Sequence, residues 1–125
     1  MPEVTNPYRE PLERPLTQNE RDLIRWMIEH ADPRAAHLLS QIDRLSVAAK
    51  CTCGCPTIDL ALDGEVVPGK GERVVSDWPA KVDGELVDVM LFETNGKINS
   101  LEVYSCSGLE RSFRLPTIDC MLKGN

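Results

Sequence analysis

Between Thr17 and Leu45 the apolar positions recur every three or four residues, and from Val47 onward they recur every two. Leu23, Ile24, Met27, Ile28 and Ala31 make one stripe at helical spacing, and Trp26 falls outside it. Thr17 followed by Glu20 forms a capping box, which predicts a helix opening at Thr17. Asp32-Pro33 closes that helix and opens a second one, because Asp accepts from free N–H groups and Pro suits the first helical position. Ala35, Leu38, Leu39, Ile42 and Leu45 form the second stripe. Two amphipathic helices joined this tightly predict a helical hairpin or a sharp corner.

In the second half, Ile58, Leu60 and Leu62 alternate with Asp59 and Ala61, the period of a strand. "RVVSDWPAKV" reads as a strand with Val74, Trp78, Ala80 and Val82 on one face, and Pro79 makes it an edge strand or a bulged one. "ELVDVMLFETNGKINSLEVYSC" reads as a hairpin. A two-residue Asn95-Gly96 loop would set Val89 against Glu102 and Asp88 against Val103, mixing polar with apolar on both faces. A three-residue loop, Asn95-Gly96-Lys97, with a G1-type bulge sets Leu91 against Leu101 and Val89 against Val103, which sorts the faces and is the expected register. The other face then carries Asp88, Phe92, Glu102 and Tyr104.

These patterns predict an α+β fold: two N-terminal helices packed on one face of an antiparallel sheet of about four strands. Residues 1–16, with prolines at 2, 7, 11 and 15, read as an extended arm on the surface or disordered, and 17–125 as a single domain. The tail after the hairpin reads as mostly loop, closed by a short edge strand.

Composition narrows the function. No apolar run approaches the ~20 residues of a membrane helix. The first residues, "MPEVTNPYREPLERPL", hold no apolar core of signal-peptide type, and five cysteines make an odd count. Both favour a reducing cytoplasm and free thiols. The net charge of −6 is concentrated: residues 59–93 hold nine acidic groups against three basic ones. Such a surface disfavours nucleic acid and attracts a basic protein.

Two sets of residues carry candidate chemistry. Asp77, Asp88, Phe92, Glu102 and Tyr104 combine carboxylates with aromatic anchors, a composition suited to binding a basic partner. Cys51, Cys53 and Cys55 stand at alternate positions around Gly54, with Cys106, Cys120, His30 and His37 as sources of a fourth ligand. In a straight strand, alternate residues lie ~6.6 Å apart, whereas sulfurs on one zinc approach within ~4 Å. The expectation is therefore reduced, metal-free thiols in a strand bent near Gly54–Pro56, with a zinc module as the alternative. No nucleophile elbow, phosphate loop, dinucleotide motif or metalloprotease motif occurs, so no catalytic residue and no cofactor is expected.

The stretches "LTQNERDLIRWMIEH", "CTCGCPTIDL", "VDGELVDVMLFETNGKINSLEVY" and "RLPTID" follow one another in an order that resembles small bacterial domains of unknown function. The layout is also similar to that of some immunity proteins of bacterial toxin systems. With the acidic charge and the missing catalytic motifs, the expected function is a cytoplasmic, non-enzymatic binding protein, an immunity-type inhibitor of a basic toxin being one form. The resemblance implies no catalytic residue.

Overall fold

The computed structural model describes residues 7–106 and 113–122. A single sheet of seven strands dominates it. The strands are β1 (Arg9–Pro15), β2 (Leu45–Cys51), β3 (Ile58–Leu62), β4 (Glu65–Val66), β5 (Arg73–Val82), β6 (Glu85–Thr94) and β7 (Lys97–Ser105). They lie in the order β1-β2-β3-β7-β6-β5, every pairing is antiparallel, and β4 pairs with β3 off this path. Helix α1 (Gln18–Glu29) and a 3₁₀ helix (Pro33–Arg44) complete the main elements.

This corrects the expected fold of two helices on about four strands. Three strands lie outside the four expected. Residues 9–15 pair along β2 as an edge strand, which Pro11 and Pro15 tolerate because an edge can lack donors. Residues 45–51 pair with both β1 and β3. The Glu65-Val66 segment turns back on β3 through Asp63-Gly64.

Helix α1 begins where its capping box stands. Glu20 N donates to Thr17 Oγ1 at 3.1 Å and Thr17 N donates to Glu20 Oε1 at 2.8 Å. Arg14 of β1 grips the same carboxylate with two bonds of 2.8 Å, tying the edge strand to the helix start. Trp26 is buried because His30 stacks on it at 3.9 Å and Trp78 of β5 meets it edge-on at 5.4 Å.

The second helix winds as 3₁₀, with Ala35 N donating to Asp32 O at 2.8 Å. Residues three apart eclipse in such a helix, so Ala35, Leu38 and Gln41 fall in one row. Gln41 is thereby buried, where it clamps the β6–β7 turn: its Nε2 donates to Gly96 O at 2.6 Å, and Ile98 N donates to its Oε1 at 2.9 Å.

The hairpin sets Leu91 against Leu101 and Val89 against Val103. The chain reaches that register through a two-residue Asn95-Gly96 turn, not the expected three-residue Asn95-Gly96-Lys97 loop, because Thr94 pairs with Lys97. Asn95 (φ 51°) and Gly96 (φ 81°) both take positive φ, as a type I′ turn requires, and Asn99 is then the extra residue that shifts the register. Leu91, Leu101, Val89 and Val103 join Ile24, Met27, Leu38 and Ile42 in one fully buried cluster. In β5 a shift between Val74 and Ser76 changes the parity. Ser76, Trp78, Ala80 and Val82 therefore face the helices, while Val74 pairs with Phe92 and is exposed. The tail contributes one bridge, Met121 to Ala80, and the expectation of a loop between 107 and 112 lies outside the described residues.

Candidate metal centre and the open acidic face

The helices cover one face of the sheet and leave the other open. The thiol cluster sits where β2 leaves the sheet. Cys51 is the last residue of β2, opposite Arg9 of β1. The chain then turns through residues 52–57 before β3 begins. Cys51 N donates to Thr57 O at 3.1 Å and closes the turn. Thr57 anchors its far side, because its hydroxyl accepts from Val103 N at 2.9 Å and donates to Val103 O at 3.1 Å. Thr52 N holds the near side by donating to Tyr8 O at 3.0 Å. Gly54 takes φ 93°, a conformation L side chains rarely adopt, and this sharpens the bend.

The bend gathers the sulfurs. The Sγ atoms of Cys51, Cys53 and Cys55 all lie within 4.8 Å of one another, and Cys51 Sγ and Cys53 Sγ are 3.0 Å apart. Cys55 N donates to Cys53 Sγ at 3.3 Å. The geometric objection to a shared ion assumed a strand through all three residues, but the strand stops at the first of them. Among the described residues this is the group of three or more potential ligands close enough to share an ion. Cys106, Cys120, His30 and His37 do not belong to it. Cys106 is exposed beyond the end of β7, where its N–H donates to Leu86 O. The ring nitrogens of His30 and His37 contact the carbonyls of Trp26 and Arg34.

Arg9 borders the cluster and forms an ion pair with Asp59 at 3.2 Å. Partial burial works against its charge, but Asp59, and then Cys51 and Glu102, more than offset this, so the guanidinium holds its proton more tightly than usual.

The open face also carries the expected partner-binding residues. Asp88 stands opposite Tyr104, Met90 opposite Glu102, Phe92 opposite Ser100, and Asp77 of β5 opposite Met90. Tyr104 is 48% exposed and its hydroxyl donates to Asp88 Oδ2 at 2.9 Å. That bond, then slight burial and the charges of Asp88 and Asp77, push the phenol up to about 12. Burial, followed by the hydrogen bond and charge of Asp88, raises the Asp77 carboxyl to about 6. Burial lifts Glu102 above the usual carboxylate range, with the charge of Glu72 adding to it. Phe92 and Glu102 are half-buried, so the face presents carboxylates with aromatic edges between them.

Sequence reasoning missed three residues here. Arg9 lay in a segment read as an arm. Glu72 lay in a turn-rich connection. Asn99 enters the face only through the bulge, which the sequence pattern places at the Asn95-Gly96-Lys97 loop.

No described helix is long and apolar enough to cross a membrane. No family model, curated protein or solved structure matches the chain, so the functional argument rests on the geometry of these two sites.

Proposed function

We propose that the chain is a thiolate metal-binding module in which Cys51, Cys53 and Cys55 share one zinc ion. The supporting observation is the convergence of three sulfurs within 4.8 Å at a turn pinned on both sides. Zinc holds thiolates at ~2.3 Å in tetrahedral geometry, which places sulfurs ~4 Å apart. Binding would require the 3.0 Å pair of Cys51 and Cys53 sulfurs to open to that spacing. Three protein ligands leave the fourth position to water, a small thiol or a partner's side chain. Three thiolates and one divalent ion carry a net negative charge, which Arg9 beside Cys51 offsets. Thiols must lose protons to bind, so affinity falls as the medium becomes acidic.

Elemental analysis of protein purified without chelator tests this. Near-stoichiometric zinc, absent when all three cysteines are replaced by serine, is the expected result. Metal-free protein that stays metal-free after incubation with zinc contradicts it.

The open face supports a second reading, in which a basic protein docks on Asp77, Asp88, Phe92, Glu102 and Tyr104. These residues share one uncovered surface, and exposed Tyr104 offers an anchor among the carboxylates. An immunity-type inhibitor of a basic toxin would bind in this way. Association with such a partner should slow as salt rises, and a rate independent of ionic strength contradicts the reading.

A further inference from the structure

Two of the three sulfurs in the turn stand closer than a shared zinc ion would hold them. Cys51 Sγ and Cys53 Sγ are 3.0 Å apart, whereas thiolates on one zinc lie ~4 Å apart and a disulfide bond spans ~2.05 Å. The pair therefore sits between the two spacings. The cysteines also differ in access. Cys53 is exposed, while Cys51 and Cys55 are partly buried. Cys55 N donates to Cys53 Sγ at 3.3 Å, so the exposed sulfur has a backbone donor aimed at it. Cys51 lies on the inner side, opposite Arg9, whose guanidinium interacts with its charge. An accessible sulfur with a second sulfur in reach is the arrangement of an attacking and a resolving thiol.

A bond between them would be reversible rather than structural. Only Thr52 separates the two cysteines, and a disulfide across so short a loop removes little chain entropy from the unfolded state. An exposed disulfide is also among the readily reduced ones. We propose that Cys51 and Cys53 are a dithiol pair that exchanges with small disulfides, and that closing the pair releases the zinc. The Cys53 thiolate attacks one sulfur of a disulfide RSSR, forming a mixed disulfide and expelling RS⁻. The Cys51 thiolate then attacks the Cys53 sulfur, forming the Cys51–Cys53 bond and expelling the second RS⁻. Two protein thiolates are oxidised and the small disulfide is reduced to two thiolates. Cys55 alone remains as a thiolate, so the ion loses two of its three protein ligands and leaves as Zn²⁺. A reducing dithiol reverses both steps. The release of zinc rests on the metal reading above, whereas the exchange rests on the sulfur geometry alone.

The test treats the zinc-loaded full chain with oxidised glutathione, following zinc with a chromogenic chelator and disulfides by peptide mass. The expected result is a Cys51–Cys53 disulfide and a fall in zinc from near one equivalent to near none in step with it. Dithiothreitol with added zinc should restore both. The serine variants are treated metal-free, since those in the turn lack a ligand. Cys51→Ser should stop at a glutathione adduct on Cys53, Cys53→Ser should form neither that adduct nor the disulfide, and Cys106→Ser should behave as the parent. A disulfide confined to another pair overturns the inference, as does an adduct on Cys53 that Cys51 fails to resolve, or zinc retained in full after the pair has closed. A chain that holds zinc but never closes the bond keeps the metal reading and overturns this inference. A chain that closes the bond but never holds zinc removes the metal reading, and the release with it, and supports the exchange.

Discussion

The two faces of the sheet are made by the same strands, often by adjacent residues, and they do different work. On the covered face Val89, Leu91, Leu101 and Val103 have no exposed surface and pack with α1 and the 3₁₀ helix. On the open face their neighbours Asp88, Met90, Glu102 and Tyr104 meet solvent and one another. Covered-face side chains are chosen by volume, so their replacement costs stability. Open-face side chains are chosen by charge and donor pattern, so their replacement should cost binding. The thiol turn belongs to neither face: it is a place where the chain leaves the sheet, and its geometry depends on one glycine and two anchored ends.

The largest effect should come from setting Leu101 against its neighbour. Leu101→Ala removes a side chain with no exposed surface and should cost about 2–4 kcal/mol in urea unfolding. Glu102→Ala, one residue away on the other face, should cost less than about 0.5 kcal/mol. Equal losses would mean that the two faces are not distinct in energy.

Next in size is the turn. Gly54→Val places a branched side chain at φ 93° and should cost about 1–3 kcal/mol. If the three thiols hold zinc as proposed, the same variant should lose most of it, because the bend gathers the sulfurs. Retained stoichiometric zinc in this variant would show that the bend is not what assembles the site. A smaller loss, about 1 kcal/mol, is expected for Thr17→Ala, which removes one half of the reciprocal cap at α1. A change in midpoint below a few tenths of that would show that Arg14 alone secures Glu20 and the helix start.

The smallest effect concerns pH. Asp77, raised to about 6 in the folded chain, keeps its proton where the unfolded chain, near ~3.9, has released it. Its contribution to stability is complete below the unfolded value and is lost as pH rises through about 6. Asp77→Asn should flatten that decline, by less than about 1 kcal/mol because the group is exposed to solvent. Urea midpoints at acidic and neutral pH measure it, and an unchanged slope would separate Asp77 from Asp88.

What was legible in the sequence was local. The capping box marked the start of α1, and the requirement that one hairpin face be apolar was enough to pair Leu91 with Leu101. Less legible were features that depend on distant partners. The arm pairs as β1 only because β2 offers an edge, and nothing within "REPLERP" reports that edge. The second stripe looked α-helical because Ile42 stands four residues from Leu38 and three from Leu39, and the buried Gln41 gains its meaning from Gly96 and Ile98. The bulge that turns Val74 outward is likewise invisible to strict alternation. For the cysteines, a correct distance argument rested on the assumption of a continuous strand. Gly54 and Pro56 were the signals that it stops, and the sulfurs converge as a consequence.

The central claim is that one bend makes one three-sulfur site. Titrating the reduced protein with cadmium, a soft ion whose thiolate bonds absorb in the ultraviolet, tests it most directly. The account predicts that the band saturates at one equivalent and that Cys51→Ser, Cys53→Ser and Cys55→Ser each lower it, whereas Cys106→Ser leaves it unchanged. A band that needs more than one equivalent, or that survives intact when any one of the three is replaced, would contradict the claim.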